Sequence, residues 1–92
     1  MAHPNGSTAD SERIRVGQTV RALRKARALT IPELADKAGM SRTFLNQIEL
    51  GLKDLPPARA VQIANVLHVR PIAILNPDHF TEELVASAGE AS

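Results

Sequence analysis

Residues 30–51 run Thr30-Ile-Pro-Glu33-Leu-Ala-Asp-Lys-Ala-Gly39-Met-Ser41-Arg-Thr-Phe-Leu-Asn-Gln-Ile-Glu-Leu-Gly51. Thr30 and Glu33 have the spacing of a capping box, in which the threonine hydroxyl accepts from the Glu33 amide and the carboxylate reaches back to the cap. Pro32 falls in the first turn, where its missing N–H costs little. Leu34, Ala35 and Ala38 then share one helical face, and Gly39 suits the left-handed residue that ends a helix. Ser41 opens a second helix at once, as an N-cap worth about 1 kcal/mol over alanine. Helical spacing over 41–50 turns Met40, Leu45 and Ile48 inward. It turns Arg42, Thr43, Asn46, Gln47 and Leu50 outward, and Gly51 stops the helix. Two short helices are thus predicted, joined through only Gly39, Met40 and Ser41.

Working outward, the same periodicity predicts helices on both sides. Before the pair, a helix over Glu12–Ala28 carries Val16, Val20, Leu23 and Arg24 on one face. The rest of its surface is basic: Arg13, Arg15, Arg21, Lys25 and Arg27. After it comes the loop Leu52-Lys53-Asp54-Leu55, and Pro56-Pro57 suits a helix start. Val61, Ile63, Ala64, Val66 and Leu67 would supply the buried side of that fourth helix, with His68 closing it. Pro71 opens a short fifth helix through Ile72, Ile74 and Leu75, and Asn76-Pro77 ends it. No run alternates apolar and polar residues between hairpin turns, so strands are not expected. The fold class is all-α: a compact five-helix domain over 13–76. A small, polar, Gly- and Pro-containing flexible N-terminal arm over 1–12 precedes it. An acidic tail over 77–92 follows, in which Phe80, Leu84 and Ala88 recur at four and Thr81 caps, so that either a short helix or a frayed end fits.

The chain's formal charge of +1 conceals a strong segregation. Residues 13–75 hold all eleven basic side chains against four acids, Glu33, Asp36, Glu49 and Asp54, for a net +7. The flanks hold the other six acids. A basic body between acidic ends points to a polyanionic partner, although a solvated basic face on an ordinary helical domain has the same composition. There is no cysteine among the 92 residues, which excludes disulfides and thiolate chemistry. His3, His68 and His79 are too scattered for a metal site, and no cofactor is expected. No phosphate-binding glycine loop, nucleophile elbow or metal-ligand spacing is present, so no catalytic residue is assigned and an enzyme is not expected. No apolar run approaches the roughly 18–20 residues of a membrane span, and the N-terminus lacks a signal pattern. A soluble cytoplasmic protein with no membrane partner is the expectation.

A three-residue, Gly-containing connection between two short helices is the helix-turn-helix signature. With Val16-Gly17 and Leu23-Arg24 before it, and Ile63-Ala-Asn-Val-Leu67-His-Val69 after it, the segment from Val16 to Leu75 resembles the Xre/Cro, lambda-repressor-like helix-turn-helix family in register and without gaps. The resemblance implies a transcriptional regulator that binds double-stranded DNA, commonly as a homodimer on a palindromic site. It implies that the helix 41–50 reads the major groove through Arg42, Thr43, Asn46 and Gln47, the polar side chains that periodicity alone turns outward. Their chemistry suits base edges: arginine reaches guanine O6 and N7, asparagine or glutamine reaches adenine N6 and N7, and threonine offers a hydroxyl or a methyl. A merely solvated polar face is the alternative.

Ser41 caps its helix and is also placed to touch phosphate, because the exposed amides of a helix start favour an anion. Lys53 and, on the first helix, Arg21 match positions where the family contacts phosphate, which orients a domain without carrying sequence information; plain solvation is the alternative for each. Arg24 and Glu49 match a pair that the family joins in a partly buried structural salt bridge. Three departures stand out. Ile31 follows the cap where the family frequently has a phosphate-holding glutamine, and Pro32 removes a further donor. Leu55 with Pro56-Pro57 stands where the family has one proline. His68 stands where glycine is common. Two other functions suit the same fold. One is an antitoxin that binds DNA and grips a toxin through the tail. The other is a protein-binding module that has lost DNA contact, which the Ile31 and Pro32 departures make conceivable. Ile72, Ile74, Phe80 and Leu84 are the candidate self-association residues.

Overall fold

The computed structural model describes residues 5–75, with side chains from residue 9 onward. Five helices follow one another: α1 (Asn5–Ala26), α2 (Ile31–Ala38), α3 (Arg42–Glu49), α4 (Pro57–Leu67) and α5 (Pro71–Leu75). No strand occurs among the described residues. Val20 and Leu23 of α1, Leu34 and Ala35 of α2, Leu45 of α3, Ile63 and Leu67 of α4 and Ile74 of α5 meet in one core. Each large aliphatic side chain fully buried there contributes roughly 1.5–3 kcal/mol.

Helix ends explain much of the chain trace. Thr30 Oγ1 accepts from Glu33 N at 3.2 Å, and Glu33 Oε1 accepts from Thr30 N at 2.8 Å, completing the capping box. Ser41 Oγ accepts from Phe44 N at 3.0 Å to start α3. Every positive-φ residue described, Ala28, Gly39, Gly51 and His68, lies just past a helix. In each case the residue after it sends its N–H back five residues: Leu29 to Arg24, Met40 to Ala35, Leu52 to Gln47 and Val69 to Ala64. Four helices therefore close with the same 6→1 bond. His68 occupies the left-handed conformation that its place in the sequence required.

Three expectations are corrected. α1 begins at Asn5 rather than Glu12, so helix replaces the flexible arm expected over 1–12 from Asn5 onward. No proline interrupts the chain between Pro4 and Pro32, and Asp10 pairs with Arg13 one turn on, which supports the added turns. Val61 is 42% exposed, while Ala60 takes the inward place with Ile63, Ala64 and Leu67. The buried stripe of α4 follows spacings of three and four from Ala60, and Val61 sits about 100° round the helix from it. Ile74 is fully buried and belongs to the core, not to an interface, whereas Ile72 is exposed. The tail with Phe80 and Leu84, and its expected helix, lie outside the described residues.

Candidate nucleic-acid interface

α3 is held from behind by α1. A Cβ at Gly17 would lie 2.3 Å from the Ile48 carbonyl oxygen and 2.7 Å from that of Glu49. The backbones of α1 and α3 therefore touch where no larger residue fits. Three residues earlier, Ile14 packs on Gly51, whose added Cβ would meet the Ile14 side chain at 2.8 Å. Leu45 and Ile48 anchor α3 in the interior.

A buried ion pair fixes the same crossing. Arg24 Nε donates to Glu49 Oε2 at 2.7 Å and Arg24 Nη2 donates to Oε1 at 3.0 Å, while Nη1 donates to the Leu29 carbonyl at 2.8 Å. Both residues are 8% exposed. The Glu49 hydrogen bond raises the Arg24 pKa above its ordinary value, against desolvation and with Coulombic attraction adding to it. A charge pair so placed ties α3 to α1, at the two positions where the family resemblance implied a partly buried salt bridge.

With its inner face occupied, α3 presents Arg42, Thr43 and Asn46 exposed and Gln47 half-buried. Ser41 and Lys53 are exposed at its two ends, and Arg21 is exposed on α1. Arg21, Ile31, Asn46 and Leu50 come together with the Arg24–Glu49 brace around a cleft of about 220 Å³. The structure thus brings Arg21 to the flank of the α3 face. Lys53 lies apart from that cleft, in the loop after Gly51. Ile31 turns partly inward against the core, which is what its side chain can do in place of holding a phosphate.

Not all of the expected basic surface is displayed. Arg13 bonds Asp10 and reaches Asp54 at 3.4 Å, tying α1 to the loop after α3. Arg27 Nε donates to the Leu67 carbonyl at 2.7 Å and joins the ends of α1 and α4. Two residues with consequences for the site escaped sequence reasoning. Gly17 is one: Val16-Gly17 enters the family resemblance, but nothing local distinguishes a close-approach glycine from a helix-weakening one, so its role was not read. Asp36 is the other: its Oδ2 accepts from Arg42 Nη2 at 3.1 Å. An acid six residues before Arg42, across a three-residue turn, was the available signal.

A helix-turn-helix family model, HTH_3, matches residues 20–74. The HTH-type transcriptional regulator SinR of Bacillus subtilis is 32% identical over 68 residues, which are 73% of this chain and 61% of that protein. This chain therefore spans about three fifths of that relative's length. Among solved structures, the restriction-modification controller protein C.AhdI from Aeromonas hydrophila superposes with a TM-score of 0.65 at 26% identity, covering 66% of this chain and 92% of that one. A SinR protein/SinI protein complex gives a TM-score of 0.66 at 30% identity, covering 84% of this chain and 81% of that one.

Proposed function

The chain belongs to the HTH_3 helix-turn-helix family, and on that premise we propose that it is a transcriptional regulator that binds double-stranded DNA in a sequence-specific manner. α3 enters the major groove, and Arg42, Thr43, Asn46 and Gln47 meet base edges. Ser41, Lys53 and Arg21 meet phosphates. The observation that carries the reading is the division of α3: its apolar side and Glu49 are buried against α1 and the core, and its polar side is left uncovered. The net charge of +7 over residues 13–75 supplies the long-range attraction that phosphate requires.

Selection of bound sequences from a random duplex pool tests this. One sequence family should emerge, and affinity for it should fall with salt at a log–log slope of about −0.9 per phosphate neutralised. A pool that stays random through selection would refute it.

The chain acts as a homodimer in this proposal, on half-sites about 10 base pairs apart. Exposed apolar Val61, Ile72 and Leu75, on helices α4 and α5 that pack on each other, support self-association. Sedimentation equilibrium at micromolar concentration should show the dimer, with Ile72→Asp reducing it to monomer. One similar structure holds SinR with a second protein, SinI. A protein partner here, engaged through residues 77–92, belongs to the same proposal.

A further inference from the structure

Asp36 stands where a negative charge is unfavourable twice over. It lies in the last turn of α2, where the carbonyl end of the helix already carries partial negative charge. It also stands beside the face that the proposed function turns toward phosphates, where an acid repels the ligand. Its backbone carbonyl accepts from the Gly39 N–H to help close α2, a bond that any residue at this position makes. What its carboxylate does is hold Arg42: Oδ2 accepts from Nη2 at 3.1 Å, with both side chains 62% exposed.

We propose that Asp36 is a positioning residue for Arg42, setting the guanidinium toward one base pair and trading general affinity for selectivity. The inference rests on the DNA-reading role given to α3 above. Arg42 is the first residue of α3, and Asp36 tethers it from the neighbouring helix. A guanidinium has five N–H donors. One engaged by Asp36 leaves a pair for guanine O6 and N7 in the fork geometry that arginine uses. Free of the tether, the long side chain samples phosphates as readily as base edges, and either contact attracts it. The carboxylate penalises the phosphate alternatives, because it adds repulsion wherever Arg42 does not repay it with a base contact. The pair is solvent-exposed, so its bias is small: an exposed ion pair shifts an equilibrium by about 1.5- to 5-fold.

The test uses the full chain on the duplex it selects, with all four base pairs placed in turn at each position. Parent, Asp36→Asn, Arg42→Ala and the double variant are compared. Asp36→Asn should raise binding to an unrelated duplex by about two- to fivefold at low salt, an effect that fades as salt screens it. It should lower preference by about 1.5- to 5-fold at one base pair only, the one whose preference Arg42→Ala removes. In the Arg42→Ala background, Asp36→Asn should leave preference unchanged at every position. Asp36→Glu, which keeps the carboxylate, should restore part of the preference. The melting temperature should hold or rise slightly. Preference intact in Asp36→Asn, lost at another base pair, or lost equally in the Arg42→Ala background overturns the positioning role alone. A large fall in melting temperature overturns it too. A parent that selects no sequence at all overturns the DNA-reading role, and this inference with it.

Discussion

Glu49→Ala is the most exposing single perturbation, because it separates bracing from reading. Truncation removes both hydrogen bonds that the carboxylate accepts from the guanidinium, at 2.7 and 3.0 Å, and leaves Arg24 with only the Leu29 carbonyl. Breaking one partner of a buried pair costs about 3–5 kcal/mol. The surviving Leu29 contact and a side chain that keeps 10% exposure place this site at the lower end, near 3 kcal/mol. A domain of this size has about 5–14 kcal/mol in total. The variant therefore stays folded at 25 °C but melts about 12–24 °C lower, at 4–8 °C per kcal/mol. Thermal unfolding followed by circular dichroism reads this directly. Arg24→Met combined with Glu49→Leu supplies the control. Replacing both charges by apolar groups removes the stranded cation and should recover most of the loss. A melting point within about 4 °C of the parent, or a double variant no more stable than Glu49→Ala, would refute the buried brace.

Four further outcomes are expected. Arg42→Ala should cost about 1–3 kcal/mol at the selected site and relax one base pair, whereas Lys53→Ala should weaken all duplexes alike and reduce the salt slope by about 0.9; competition binding across salt distinguishes them. Gly17→Ala should destabilise by about 2 kcal/mol or more in urea unfolding, despite alanine's better helix propensity, because the new Cβ meets backbone oxygens that cannot rotate away. Ala28→Gly should stabilise by about 0.5–1 kcal/mol, since Ala28 holds φ 59° where glycine has no Cβ penalty; a lower melting temperature would contradict that. The Thr30 backbone N–H, then its hydroxyl, hold the Glu33 carboxylate below its ordinary pKa. A depressed folded-state value means stability present above the unfolded pKa, near 4.5, and lost as pH falls through the folded one. Glu33→Gln should therefore flatten the stability–pH curve below about 4.5, and an unchanged acid limb would count against the capping box.

What the sequence disclosed was whatever depends on neighbours along the chain. The capping box at Thr30 and Glu33, the Ser41 cap, the left-handed residues at Gly39 and His68, and the inward turn of Leu45 and Ile48 are all properties of a few adjacent residues. The start of α1 was misjudged because Ser7, Thr8, Asp10 and Ser11 read as loop by composition, while nothing among them breaks a helix. Val61 was misplaced because Ala60, small and weakly hydrophobic, conceals the phase of the buried stripe on α4. The Arg24–Glu49 pair joins residues 25 apart and was available only through the family resemblance, since charge patterning alone offers Arg24 several carboxylates.

The location of the two missed residues is informative in itself. Gly17 and the Arg24–Glu49 pair act on the rear of α3, and Asp36 acts on its front edge. The rear contacts are backbone against backbone and a buried bidentate pair, so they tolerate almost no change and set where the helix axis lies. The front contact is a single exposed ion pair, worth about 0.2–1 kcal/mol, so it can be exchanged without disturbing the fold. Arg42, Thr43 and Asn46 are exposed, so the stability of that support depends little on their identity, whereas Gln47 is half-buried. It follows that a new sequence preference should be reachable by changing the three exposed residues and Asp36 together, with melting temperature nearly constant. Altering Gly17 or Glu49 should instead degrade binding to every duplex in proportion to the loss of stability.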